Sequence, residues 1–293
     1  MRPAGILIFF WLVLVAWSVR AETIVVVAPE RSDLTDEFTQ ALQQIRSQDS
    51  VQFRTLDDPS PVPAPSTLVT LGKAALDWGV SFGQQPLIGT YVSTSGLQSL
   101  GIESLPPRVR ILLANPKPSR QIALARELIP RLNKLGVVHT SISQPQLNEW
   151  AAAATDLGLQ LVPVLVSEQT NLNRRLTETL DTSDVLMAPD DPSIYNADNL
   201  KTILLTSYAR NKVMIGPSAP FIAAGSLSTT YSSPVDTARS VQYLLEQPES
   251  SGQISYPHYF SVLSNQQVAR SLGFPPPDDA ALAAKLTDLK ASQ

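Results

Sequence analysis

Short aliphatic and β-branched runs alternate with segments whose apolar residues recur at helical spacing. Such alternation predicts an α/β chain with mostly parallel sheets covered on both faces. Residues 24–28 (IVVVA) predict a buried strand, and Leu34, Phe38, Leu42 and Ile45 mark one face of the helix after it. Ser32 or Asp33 can cap that helix. Residues 51–56, 68–71, 87–92 and 109–114 predict further strands. Residues 57–66 (DDPSPVPAPS) are too rich in proline for either element.

The second half repeats the pattern more regularly. Ile122, Ala125, Leu128 and Leu132 form a helical stripe, with Ser119 as its expected cap. Strands are predicted at 136–140, 159–166, 184–188, 212–216, 227–230 and 259–263. Helices are predicted between them, among them one from Pro145, a short one through Leu172, Leu176 and Leu180, one from Pro192 to about Arg210, and one from Pro234 through Leu245. A last helix is expected in the tail through Leu282, Leu286 and Leu289. Two α/β units of about 100 residues each, with a returning tail, are the simplest arrangement.

The first 21 residues change the picture. Arg2 precedes an unbroken apolar run from Ile6 to Trp17, and Val19 and Ala21 place small side chains where a signal peptidase reads. The run is shorter than the roughly 20 residues that span a bilayer. We therefore expect a signal peptide at 1–21, cut before Glu22; if Arg20 blocks the cut, the lobes would instead hang from the inner membrane. Losing Arg2 and Arg20 takes the formal charge from −4 to −6, which argues against a nucleic-acid partner. There is no cysteine, hence no disulfide, thiol nucleophile or lipid-anchor cysteine. A released protein of this kind needs an outer barrier to retain it, which points to the periplasm of a Gram-negative bacterium.

Open parallel sheets bind ligands at the carboxyl ends of their strands. The expected ligand-binding residues are therefore Thr70, Gly72, Tyr91, Ser93, Asn115, His139, Thr140, Asp190, Asp191 and Ser218. Each also has a plainer reading. Asp191 can cap a helix begun by Pro192, Asp190 can be a solvated loop acid, and His139 can end a strand with its ring hydrogen-bonded. Gly72 can serve a tight turn, and Tyr91 can belong to the core. Catalytic patterns are missing. Gly216-Pro217-Ser218-Ala219-Pro220 lacks the second glycine of a nucleophile elbow. Gly72-Lys73-Ala74 lacks the upstream glycine and the Ser/Thr of a phosphate loop. No catalytic residue, metal site or cofactor is expected.

Three phrases carry a resemblance to a known family. They are Asp184-Val-Leu-Met-Ala-Pro-Asp-Asp-Pro-Ser193, Lys212-Val-Met-Ile-Gly-Pro-Ser218, and residues 260–274 (FSVLSNQQVARSLGF), an asparagine-led helix ending in Leu-Gly-apolar. The chain resembles the ABC transporter substrate-binding proteins of the tryptophan/phenylalanine-binding kind, best over residues 135–274. The resemblance implies a two-lobed type I periplasmic-binding-protein-like fold, with an interlobe cleft and a three-crossing hinge. It divides the chain into lobe 1 (22–116 plus 227–256) and lobe 2 (117–226 plus 257–293). It puts Asp191 at the family's cleft aspartate and Ser218 at the next cleft strand. Two departures fall on the first lobe: the proline-rich 57–66 replaces a helix, and Tyr91-Val-Ser-Thr-Ser95 stands where the family tends to carry an acid. The ligand class, amino-acid-like in the family, is therefore left open.

The function implied is solute binding for an ABC importer, with a small molecule and an ABC permease or other envelope membrane protein as partners. The alternative is a periplasmic accessory or sensory protein on the same fold, partnering a membrane receptor or kinase without transport. An enzyme would need a positioned nucleophile and base that the motifs do not supply.

Overall fold

The computed structural model describes residues 21–82, 84–102, 104–247 and 253–291. The expected signal peptide lies outside these residues, save Ala21. Among them, no helix is long and apolar enough to cross a membrane.

The first sheet is built from β1 (Thr23–Ala28), β2 (Ser50–Thr55), β3 (Thr67–Leu71), β4 (Leu87–Val92) and β5 (Val109–Leu113), with α1 (Asp33–Ile45), α2 (Lys73–Phe82) and the short α3 (Thr94–Gln98) between them. No helix stands between β2 and β3. The chain then crosses to a second sheet of β6 (Lys134–His139), β7 (Gln160–Leu165), β8 (Val185–Met187), β9 (Met214–Ile215) and β10 (Ser228–Tyr231). Around it lie α4 (Pro118–Leu128), α5 (Leu147–Asp156), α6 (Leu172–Thr182), α7 (Ala197–Tyr208) and α8 (Pro220–Ala224). α9 (Pro234–Leu245) and β11 (Ile254–Ser255) return to the first lobe; β12 (Ser261–Ser264), α10 (Gln266–Ser271) and α11 (Asp279–Ala291) belong to the second.

The strand orders are β11-β5-β4-β3-β1-β2 and β12-β10-β9-β8-β6-β7. Every pairing is parallel except β10 with β12. The assignment of residues 227–231 to the first lobe is corrected here. β10 pairs with β9 at Ser228–Ile215 and with β12 from Ser228 to Tyr231, so it completes the second sheet. The chain changes lobe only after Tyr231, where Ser233 caps α9. The other crossings lie at 114–117 and 256–260.

Alternation along the central strands explains the layers. Ile24, Val26 and Ala28 pack beneath α1 and α9 with Phe38, Leu42 and Val241, whereas Val25 and Val27 face α2 with Leu68 and Leu76. In the second lobe, Leu135 and Val137 meet α4 and α5 through Ile122 and Trp150, and Val138 meets α6 and α7 through Leu176 and Ile203. Gly136 lets α6 approach closely, since a Cβ there would lie 2.4 Å from Ser183 Oγ and 2.6 Å from Thr179 Cγ2. α11 closes the second lobe by setting Leu286 and Leu282 against Leu124 and Val262.

Candidate functional site

Strand order reverses between β1 and β3 in the first sheet, and between β6 and β8 in the second. The carboxyl ends at such reversals are where open α/β sheets leave a crevice, because the loops on either side run to opposite faces.

In the second lobe that crevice is occupied from within. Asp191, at 1% exposure, is buried between the ends of β6 and β8. Its Oδ2 accepts from the Thr140 amide (2.7 Å), the Thr140 hydroxyl (2.8 Å) and the Ser143 hydroxyl (2.6 Å). Its Oδ1 accepts from the Ser193 amide at 3.2 Å. These partners explain how a buried carboxylate is tolerated. Asp191 is therefore a tie between two loops, and Thr140 is committed to it. It caps no helix. Pro192 sits in a turn and α7 starts five residues later, capped by Asn196 through the amides of Asp198 and Asn199. His139 is buried at the end of β6, its Nδ1 3.1 Å from the Thr140 carbonyl. Ser218 lies in the turn before α8, its carbonyl accepting from the Phe221 amide.

Asp190 is placed differently. It is half-buried, and its Oδ2 accepts a 2.7 Å hydrogen bond from the amide of Ser95 in the first lobe. Its carbonyl accepts from Gln146 Nε2 at 3.1 Å. Ser93 caps α3 through the Gly96 amide, with its hydroxyl 3.0 Å from that of Ser95. Asn115, on the first crossing, accepts from both the amide and the hydroxyl of Thr94. Ser93, Asn115 and Asp190 thus meet at the hinge end of the cleft. Beside them Trp150, Pro189, Pro217 and Tyr256 help to enclose about 10 Å³, room for roughly one water. Tyr256 also donates to Glu149 Oε2 at 2.6 Å, a second contact with α5. Burial, reinforced by this carboxylate, holds the Tyr256 hydroxyl above its usual range.

Two candidates on the first lobe are turned away. Thr70 is fully buried, its methyl beneath Gly79 of α2 and its hydroxyl without a partner. Tyr91 has φ 55°, and the pairing of β4 with β5 shifts register between Gly89 and Val92. That irregularity rotates the side chain under α1 and α9, edge-on to Phe38 with ring centroids 6.0 Å apart. Burial, more than any neighbour, pushes its hydroxyl up to about 12. Gly72 adopts φ +87°, allowing the turn from β3 into α2 that brings the Leu76 amide back to its carbonyl.

Sequence reasoning missed Thr94, Ser95 and Gln146, since a backbone amide aimed across a cleft leaves no side-chain signature. Glu149 and Tyr256 stand 107 residues apart and gave no cue either. Among the described residues, no group of three or more His, Asp or Glu side chains could hold a metal ion.

No family model matches the chain, and no match is found among curated proteins. The likeness is three-dimensional. The ligand-free, open structure of a substrate-binding protein with adhesive properties from Clostridium difficile matches with TM-score 0.66 and 14% identity, over 88% of this chain and 97% of that one. A conserved domain protein from Vibrio cholerae O1 matches at TM-score 0.53 and 17% identity, over 90% and 98%. The ABC domain from Streptococcus pneumonia in complex with L-Trp gives 0.52 and 17%, over 88% and 96%. At such identities the likeness establishes the fold: two α/β lobes of the type I periplasmic-binding class, as the sequence resemblance implied.

Proposed function

We propose that this chain is an exported solute-binding protein of an ABC-type importer, holding a small molecule between its lobes and presenting it to a membrane permease. The observation that carries the reading is the arrangement at the hinge. Two sheet reversals belong to lobes joined by three crossings, and beside them the Ser95 amide of one lobe donates to Asp190 of the other. Such a bond can be exchanged for bonds to a ligand, and only a ligand that favours one lobe arrangement can shift the equilibrium. Asp190 is the acidic candidate with acceptor capacity to spare, because Asp191 is saturated by its own loops. A solute with a cationic or ammonium group is the class this favours, with the hydroxyls of Ser93 and Ser95 and the Asn115 amide as further partners. The apolar leader fits export to a periplasm.

The test is calorimetry and thermal shift with the mature chain against amino acids, amines and small organic acids, with scattering to follow shape. We expect at least one ammonium-bearing solute to raise the melting temperature and contract the particle. No stabilisation by any member, with an unchanged shape, would overturn the reading. Recovery of a receptor or kinase without a permease, in a pull-down from envelope extract, would favour the sensory alternative.

A further inference from the structure

A second recess lies on the flank of the hinge, where α9 of the first lobe faces the start of α4 of the second. Its volume is about 390 Å³, and its walls include Lys117, Arg120, Tyr243, Leu112, Tyr256 and His258. That volume is within the range of small-molecule sites. Among the described residues that line it there is no carboxylate.

The charge there is unbalanced. Arg120 is 8% exposed, and its guanidinium lies 4.3 Å above the Phe260 ring. Among the described residues it forms no ion pair and no side-chain hydrogen bond. None of its nitrogens is among the fully buried unpaired atoms, so the guanidinium still opens onto the recess; a cation that has lost most of its hydration favours a counter-charge there. Burial lowers the guanidinium only to about 10, so it stays charged at neutral pH. The start of α4 compounds the imbalance. Helix N-termini favour acidic residues, yet this first turn has none, and Lys117 at the cap position makes no side-chain cap. Two cations and a helix N-terminus converge on one recess, while Tyr243 and Leu112 give it an apolar wall.

We infer that this recess binds a small organic carboxylate, its head group seated by Arg120 and Lys117 and its apolar body against Tyr243 and Leu112. A planar carboxylate matches the guanidinium fork in two parallel hydrogen bonds. Since Arg120 belongs to α4 of one lobe and Tyr243 to α9 of the other, occupancy is coupled to the hinge. The anion binds more tightly to the lobe arrangement that keeps both walls in place, and by linkage it stabilises that arrangement. The site is separate from the cleft residues Ser95 and Asp190, and its existence does not depend on what the cleft binds.

The experiment is a titration of the mature chain with benzoate, followed by calorimetry and by backbone amide shifts, with benzyl alcohol as the neutral control. We expect saturable benzoate binding, shifts concentrated at residues 117–121 and 255–258, and no saturation with benzyl alcohol. Arg120→Gln should weaken benzoate by about tenfold or more, the difference expected of a charge-assisted pair. Lys117→Gln, at a half-buried position that supports no core packing, should weaken it by a smaller factor and serves if the first variant fails to fold. Absence of saturable binding to the wild-type chain would overturn the inference. So would equal binding of benzyl alcohol, shifts centred on 93–95 and 139–141, or affinity unchanged in both variants.

Discussion

At Tyr91 the backbone enters the left-handed region, at φ 55°, where a side chain with a Cβ is disfavoured by about 1–2 kcal/mol. The distortion turns the ring into the core, while the hydroxyl is buried beside Thr237 without a well-formed hydrogen bond. Tyr91→Phe keeps the packing on Phe38 and removes an unpaired polar group, so urea unfolding should show stability unchanged or raised by about 1 kcal/mol. The hydroxyl also sets a pH dependence. In the unfolded chain it ionises near its ordinary value of about 10, and in the folded chain only near about 12. The folded state thus binds more protons across that window, and stability falls as pH rises through it. Tyr91→Phe should flatten the decline; identical slopes for the two proteins would show that the hydroxyl is not held protonated. None of this was legible in the sequence. LIGTYV reads as a regular strand, and a register shift beside β5 depends on partners that a one-dimensional pattern does not specify. Thr70 shows the same limit: its strand was legible, but which face its hydroxyl takes depends on where α2 packs.

At the level of elements, hydrophobic period identified the long helices and buried strands, and missed pieces whose existence depends on context. α9 begins at Pro234 and ends at Leu245 as expected, because Ser233 and Asp236 form a reciprocal cap on a strongly amphipathic segment. α3 and α8, five residues each, are too short to show a period, and the two-residue β11 exists only because β5 offers an edge. β10 was legible as a strand but not as a member of the second sheet, since STTY carries no address for its neighbours. The loops after β6 and β8 are a further case. The loop after β8 anchors itself through Ile194 and Tyr195, whereas the loop after β6 is polar at Thr140, Ser141 and Ser143; Asp191 joins the two through three donors on one oxygen. Asp191→Ala would leave the Thr140 amide and two hydroxyls unpaired in a buried crevice, at about 2–5 kcal/mol. Asp191→Asn keeps an acceptor and should lose less. Chemical denaturation of the two variants checks the order; equal losses would mean that volume and a neutral acceptor rescue nothing, and that the carboxylate's charge carries the whole tie.

On the scale of the whole molecule, each lobe has its own core, so lobe orientation is set by few interactions. Tyr256 to Glu149 and Ser95 to Asp190 both join the lobes at the hinge end of the cleft, and the second is the one that involves a candidate ligand-binding carboxylate. A hydrogen bond to a charged acceptor contributes about 1.5–3 kcal/mol when buried, and less here because Asp190 is only half-buried. Asp190→Ala should therefore leave global stability nearly unchanged while reducing the equilibrium constant for lobe closure by about tenfold. Distance distributions between spin labels placed on α2 and α6 would report this as a shift toward longer separations. If ligand binds the arrangement in which the lobes touch, its apparent affinity weakens by the same population factor, on top of whatever bond the ligand itself makes to Asp190. Replacing Ser95 by proline removes the donating amide, together with the Ser95 hydroxyl, and leaves the Asp190 carboxylate free for ligand; proline is tolerated in the first turn of a helix. The same lengthening in both variants, with ligand affinity falling further in Asp190→Ala, would show that Asp190 serves both lobe closure and solute. Distances unchanged in both would mean that the crossings alone set the angle.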